Sequence, residues 1–260
     1  MGDIVRGRGV RRRLRRLAGE GARWASARWN DLAAADETSR LARGFGRFGA
    51  GTVIIHPRGA VYGESYIHLG ADTLVGPHVT LSVGMLPDQQ MVTDPVIRIG
   101  DGCLLGRGTS VVGHYEIVIG DDVFTGMNVY ITDQNHTYTD PEVPVGRQPP
   151  SESPVHIGDG TWIGSGAVIL PGARIGRQVV VAANAVVRGT VPDHCVVAGV
   201  PARIVRRRVG DEGAGAGPDG DGAASAWPRV TDLRHPAPTT APTPPAASTP
   251  TTGADADDRL

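Results

Sequence analysis

Apolar positions in residues 49–209 recur neither with the period of an α-helix nor with the alternation of an exposed strand, but at every sixth place. Between Ile55 and Val187 the stretch divides into 17 hexads, and 16 of them open on Ile, Leu or Val, with Thr125 the exception. Those three residue types make up 57 of the 260 residues, so chance would fill about four such positions. The second position is Gly in nine hexads, and the fifth is mostly small or β-branched.

This pattern predicts an all-β, three-sided solenoid with one short strand per side and 18 residues per coil. The leading aliphatic residue points inward and stacks on its counterpart one coil away. Glycine after it relieves crowding where the backbone turns the corner. Successive coils then pair their strands in parallel, about 4.8 Å apart. No coil buries its own inner face, so stability comes from contact between neighbours. Rings fit poorly in so narrow a prism, in keeping with an aromatic content of 5%.

Breaks in the repeat predict protrusions. Steps of eight residues from Val61 to Leu69 and from Val111 to Ile119 read as two-residue corner bulges. Longer inserts separate Leu81 from Ile99 and Ile131 from Ile157, the second rich in proline. Loops of such length in a compact domain tend to carry function.

The flanks differ in kind. Residues 1–48 hold 12 Arg against 5 acids and read as a basic, partly helical segment, with Val10, Leu14 and Leu17 at helical spacing. The run Arg11–Arg16 suits a peripheral contact with anionic lipid, or a solvated helix laid over the end of the solenoid. Residues 210–260, with 8 Pro and 7 Gly, read as a disordered tail. All 26 basic residues are Arg, yet 27 acids balance them, and nucleic acid is not expected as a partner. Two cysteines, Cys103 and Cys195, are too few for a disulfide framework or a four-thiolate metal site. Without a membrane-length apolar run or a secretory signal, a cytoplasmic location is expected.

The run IGDGTWIGSGAVILPGARIG (157–176), followed by VVAGVPARIVR ending at Arg206, resembles the hexapeptide-repeat acyltransferases, in particular the sugar O-acetyltransferases. The resemblance spans roughly residues 50–207. It implies a left-handed parallel β-helix, a homotrimer with active sites between subunits, acetyl-coenzyme A as acyl donor and no metal. It further implies a hydroxylated small molecule or saccharide as acceptor.

His136 closes the hexad ITDQNH just before the longer insert, where the family carries its catalytic histidine. Acetyl transfer to an alcohol needs a base that is largely neutral near pH 7, and imidazole suits that task. His114 and His156, also near corners, are its rivals. Asn135 and Tyr138 beside it are the candidate acceptor-binding residues.

For the donor, the resemblance implies Trp162 against the bound acyl donor or acceptor. It also implies the Ser165 backbone N–H on the thioester carbonyl and the Ala183 main chain on the pantetheine arm. Arg188, Arg203 and Arg206 match positions that meet the coenzyme's phosphates, and Arg207 and Arg208 extend the cluster. Gly189 replaces the lysine usual after the position of Arg188, and Gly106 replaces an acceptor-binding Asn, so galactoside itself is an unsafe acceptor.

Two other readings stay open: an antibiotic-modifying acetyltransferase of the same fold, and a non-catalytic scaffold. Zinc-dependent hydration on this fold resembles a pattern with two histidines five residues apart, which the sequence lacks.

Overall fold

The computed structural model of the chain describes residues 19–26, 28–30, 32–86 and 89–207. Val10, Leu14, Leu17, the Arg11–Arg16 run, Arg208 and the 210–260 tail lie outside the described residues.

Three parallel sheets form the sides of a prism. The first face stacks Arg47–Phe48, Ile67–Leu69, Ile97–Ile99, Ile117–Ile119, Val155–Ile157, Arg174–Ile175 and Thr190–Val191. The second stacks Val53–Ile54, Leu74–Val75, Leu104–Leu105, Phe124–Thr125, Trp162–Ile163, Val180–Val181 and Cys195–Gly199. The third runs Val61–Tyr62, Thr80–Val83, Ser110–Gly113, Tyr130–Thr132, Val168–Ile169 and Val186–Val187. The chain visits the faces in rotation, as a coil must. Ile157 pairs with Ile175, Ile163 with Val181 and Ile169 with Val187, each 18 residues on.

The inward residues fill the prism. Leu69, Leu105, Val111, Ile131, Ile163 and Ile169 are all fully buried. Burying each such side chain contributes about 1.5–3 kcal/mol. Fifth positions such as Cys103, Val123, Ala167 and Ala185 fill the space between them. The exception in the repeat is explained by a hydrogen bond: Thr125, 0% exposed, accepts from the Gly106 N–H at 2.8 Å and meets Thr109 Oγ1 at 3.2 Å.

One expectation needs correction. Ile54, not Ile55, is the inward residue of the first coil: Ile54 is 2% exposed and pairs with Val75, while Ile55 is half-buried. The first coil holds one extra residue before Val61, so counting back in sixes lands one place late.

Corners are tight. A Cβ on Gly164 would lie 2.5 Å from the Ala183 nitrogen in the next coil, which is why glycine follows the inward residue there. Several corner N–H groups, which cannot join a ladder, are capped by side chains from the next coil. Between the first and second faces, Asp101 accepts from Ala71 N–H (2.7 Å), Asp121 from Asp101 (2.8 Å), Asp159 from Asp121 (2.9 Å) and Asp193 from Arg177 (3.0 Å). Between the second and third faces, Ser165 Oγ accepts from Met127 N–H at 3.1 Å.

Apart from the extra residue before Val61, every change in coil length falls at the remaining corner, between the third and first faces. The bulges at 63–66 and 114–116 lie there, as do both long inserts and the shortened step from Val187 to Val191. At the ends of the solenoid, Ala35 bridges Ile54 and covers the first edge of the second face. Ala202–Arg207 folds back antiparallel on Cys195–Gly199 at the last.

Candidate active site

The longer insert begins as an antiparallel pair, Gln134–His136 with Pro150–Glu152, in which His136 faces Pro150. Its base is tied by the Ser153 N–H donating to the Asp133 carbonyl (2.8 Å). Farther out, the buried Gln148 amide donates to the carbonyls of Asp140 (2.9 Å) and Val143 (2.8 Å). The loop therefore has bonds of its own.

Beneath the pair lies Asp133, 0% exposed. Its carboxylate accepts from the backbone N–H groups of His114 (2.9 Å), Tyr115 (2.8 Å) and Glu116 (2.7 Å), the bulge one coil earlier. Charge-assisted bonds of this kind are among the stronger ones in proteins. They lock the root of the strand that ends at His136. The sequence reading overlooked Asp133, although an aspartate three residues before the histidine, above a two-residue bulge, was a usable signal.

His136 and Asn135 are exposed at this corner, and Asn135 Oδ1 accepts from the His136 N–H at 2.9 Å. Among the described residues no partner engages the His136 imidazole, which is open to an incoming molecule. Tyr138 projects into solvent, 77% exposed. The rivals are otherwise engaged. His114, 7% exposed, lies under the pair with Nδ1 4.0 Å from Glu152 Oε1, and His156 Nε2 lies 3.3 Å from Glu116 Oε2.

The donor-side candidates sit elsewhere. Trp162 is half exposed on the second face, in an outward column with Leu74, Leu104, Phe124, Val180 and Val196. Arg206 pairs with Val196 at the end of that column, and Arg203 with Ala198 beside it. Three strand steps separate Trp162 from Arg206, about 14 Å. Ser165 and Ala183 occupy equivalent places in consecutive coils at the corner between the second and third faces.

Both have a backbone N–H with no acceptor among the described residues. Arg188 is exposed just after the third face's last strand, at the His136 corner, and one protomer does not bring it to Arg203 and Arg206. Nor does one protomer join His136 to Ser165, because a full face lies between their corners.

Family models agree with the coil arithmetic. Residues 154–189 match the bacterial transferase hexapeptide (six repeats), and residues 96–133 the hexapeptide repeat of succinyl-transferase. A Mycobacterium tuberculosis protein named as an acetyltransferase is 40% identical over 112 residues, though these span only 37% of its length. Galactoside O-acetyltransferase of Escherichia coli is 30% identical over 152 residues, 58% of this chain and 69% of that one. The Escherichia coli protein WbbJ, named for O-acetyl transfer in lipopolysaccharide biosynthesis, is 33% identical over 149 residues, 55% of this chain and 75% of that one.

The chain belongs to the hexapeptide-repeat sugar O-acetyltransferase family. Acetyl transfer is the chemistry of that family. Its left-handed parallel β-helix is the prism described above. A solved structure with the same fold is a variant of AntD, an N-acyltransferase from Bacillus cereus in complex with dTDP and coenzyme A. It superposes with a TM-score of 0.54 at 19% identity, covering 66% of this chain and 90% of that one. Among the described residues no helix is long and apolar enough to cross a membrane, and no three His, Cys, Asp or Glu side chains are grouped to hold a metal ion.

Proposed function

We propose that this protein transfers the acetyl group of acetyl-coenzyme A to a hydroxyl of a sugar or polysaccharide precursor, with His136 as general base. The observation that carries the reading is the pair of uncommitted N–H donors at Ser165 and Ala183, at the corner where the Met127 N–H of the preceding coil is capped by Ser165 Oγ. Such donors, fixed by the ladder on either side, suit a thioester carbonyl and an amide of the pantetheine arm.

In the reaction, the imidazole of His136 takes the acceptor's hydroxyl proton as its oxygen attacks the thioester carbon. The carbonyl oxygen becomes an oxyanion held by the Ser165 N–H. The C–S bond then breaks, and the departing thiolate takes the proton back from the imidazolium. The acetyl ester and coenzyme A are the products. Trp162 offers its ring to the donor, and Arg203 and Arg206 offer paired guanidinium donors to its phosphates. Arg188 would join from a neighbouring subunit. Asn135 and Tyr138 border the acceptor's approach.

The separation of His136 from Ser165 by one face supports a site completed between copies, and hence a homotrimer. The outward apolar column on the second face, with Phe124 and Trp162 at its centre, supports the same assembly.

His136→Ala tests the reading. Turnover should fall by about 100-fold or more, while isothermal titration shows acetyl-coenzyme A binding intact. Full turnover in that variant would overturn the assignment. A mass-spectrometric screen of nucleotide-sugars and oligosaccharides with acetyl-coenzyme A identifies the acceptor.

A further inference from the structure

The third residue of a hexad sits at a corner with its N–H aimed at the third residue one coil on. Where that next residue carries an oxygen, the N–H is capped: Ala71 by Asp101, Asp101 by Asp121, Asp121 by Asp159, Arg177 by Asp193 and Met127 by Ser165. Ser165 is itself followed by Ala183, whose methyl accepts nothing, and the Ser165 N–H has no acceptor among the described residues. The adjoining backbone is firmly held. Gly164 N–H donates to the Val181 carbonyl at 2.7 Å, and Asn184 N–H to the Ser165 carbonyl at 2.9 Å.

Other corner N–H groups also lack a cap, including Arg107, followed by Met127 at the Ser165 corner, and Asp159, which is followed by Arg177. The Asp159 corner is edged by Asp101, Asp121 and Asp122, whose charges oppose a developing oxyanion. The Ser165 corner carries no carboxylate in the same register: its third positions are Arg107, Met127, Ser165 and Ala183.

We propose that Ala183 determines the competence of the oxyanion donor by lacking an acceptor atom. Its side chain keeps the Ser165 N–H uncommitted until a thioester carbonyl arrives. A hydroxyl at position 183 would repeat, one coil on, the Met127–Ser165 bond of 3.1 Å and occupy that donor. The hydroxyl of Ser165 has a different task, capping Met127, so the backbone of Ser165 is what serves the reaction. The proposal rests on the acetyl-transfer reading above.

The test compares Ala183→Ser with Ala183→Gly in the full chain, using acetyl-coenzyme A labelled with 13C at the carbonyl. In the parent and in Ala183→Gly, isotope-edited infrared spectra should show the bound carbonyl stretch shifted to lower frequency than in solution. In Ala183→Ser that shift should be lost while the melting temperature stays within about 1 °C. Turnover should fall about 100-fold further in the serine variant than in the glycine variant.

An unshifted carbonyl in the parent, or an equal shift in the serine variant, overturns the role of Ala183. If the parent does not bind acetyl-coenzyme A at all, the acetyl-transfer reading itself fails. A loss of turnover shared equally by both variants would show that position 183 matters only for packing.

Discussion

Replacing Asp133 by Ala removes the acceptor for three backbone donors at once. The His114, Tyr115 and Glu116 N–H groups approach the carboxylate at 2.7–2.9 Å, and the residue is fully buried. Each orphaned buried donor costs about 1–3 kcal/mol. Tyr115 is partly exposed, so water reaches part of the bulge and the low end of the sum applies, about 3–5 kcal/mol. For a domain of this size, that lowers the melting temperature by about 6–20 °C.

Asn at the same place still accepts through its carbonyl oxygen but turns an N–H toward one of the donors, so about half the loss is expected. Thermal unfolding by circular dichroism reads the shift, and hydrogen exchange at 114–116 locates it. Melting of Asp133→Ala within about 2 °C of the parent would refute the reasoning. It would mean that water replaces the carboxylate at little cost.

Burial, with the nearby carboxylates of Asp121, Asp122 and Asp101 adding to it, pushes the Cys103 thiol up to about 12 from its ordinary 9.0. The folded state therefore keeps a proton that the unfolded chain releases. The stability this contributes is complete below pH 9 and is lost as pH rises toward 12. Urea midpoints measured from pH 8 upward should fall less steeply in Cys103→Val than in the parent, and equal slopes would contradict the burial argument. Phe124→Glu, at the centre of the outward apolar column, should turn a trimeric mass by light scattering into a monomeric one. A parent that already runs as a monomer would remove the case for a shared site.

The prism was legible because burial in a solenoid is periodic: Leu69, Ile99, Ile119 and Ile157 each face inward at a place that counting alone assigns. Counting failed only where a coil holds an odd residue, which displaced Ile55 onto Ile54. Within the site, the outward corner position of His136 was readable from its hexad. The antiparallel pairing of Gln134–His136 with Pro150–Glu152 was not, because proline-rich stretches of that length do not encode their own register. The anchoring by Asp133 and the uncapped Ser165 donor depend on residues 17–19 places apart meeting across coils. The return of Ala202–Arg207 onto Cys195–Gly199 depends likewise on a reversal that the hexad count does not contain.

Because both long inserts and both two-residue bulges share one edge of the prism, an insert there leaves the other two edges and the downstream register unaltered. Residues can be added or removed between the third and first faces with the inward ladder still closing on itself, as Ile119 and Ile157 do across 38 residues. On the proposed reading, acceptor choice is thus separable from folding. A loop of foreign length exchanged at 137–149 would alter what meets His136 while the opposite corner, with Ser165 and Ala183, keeps its spacing.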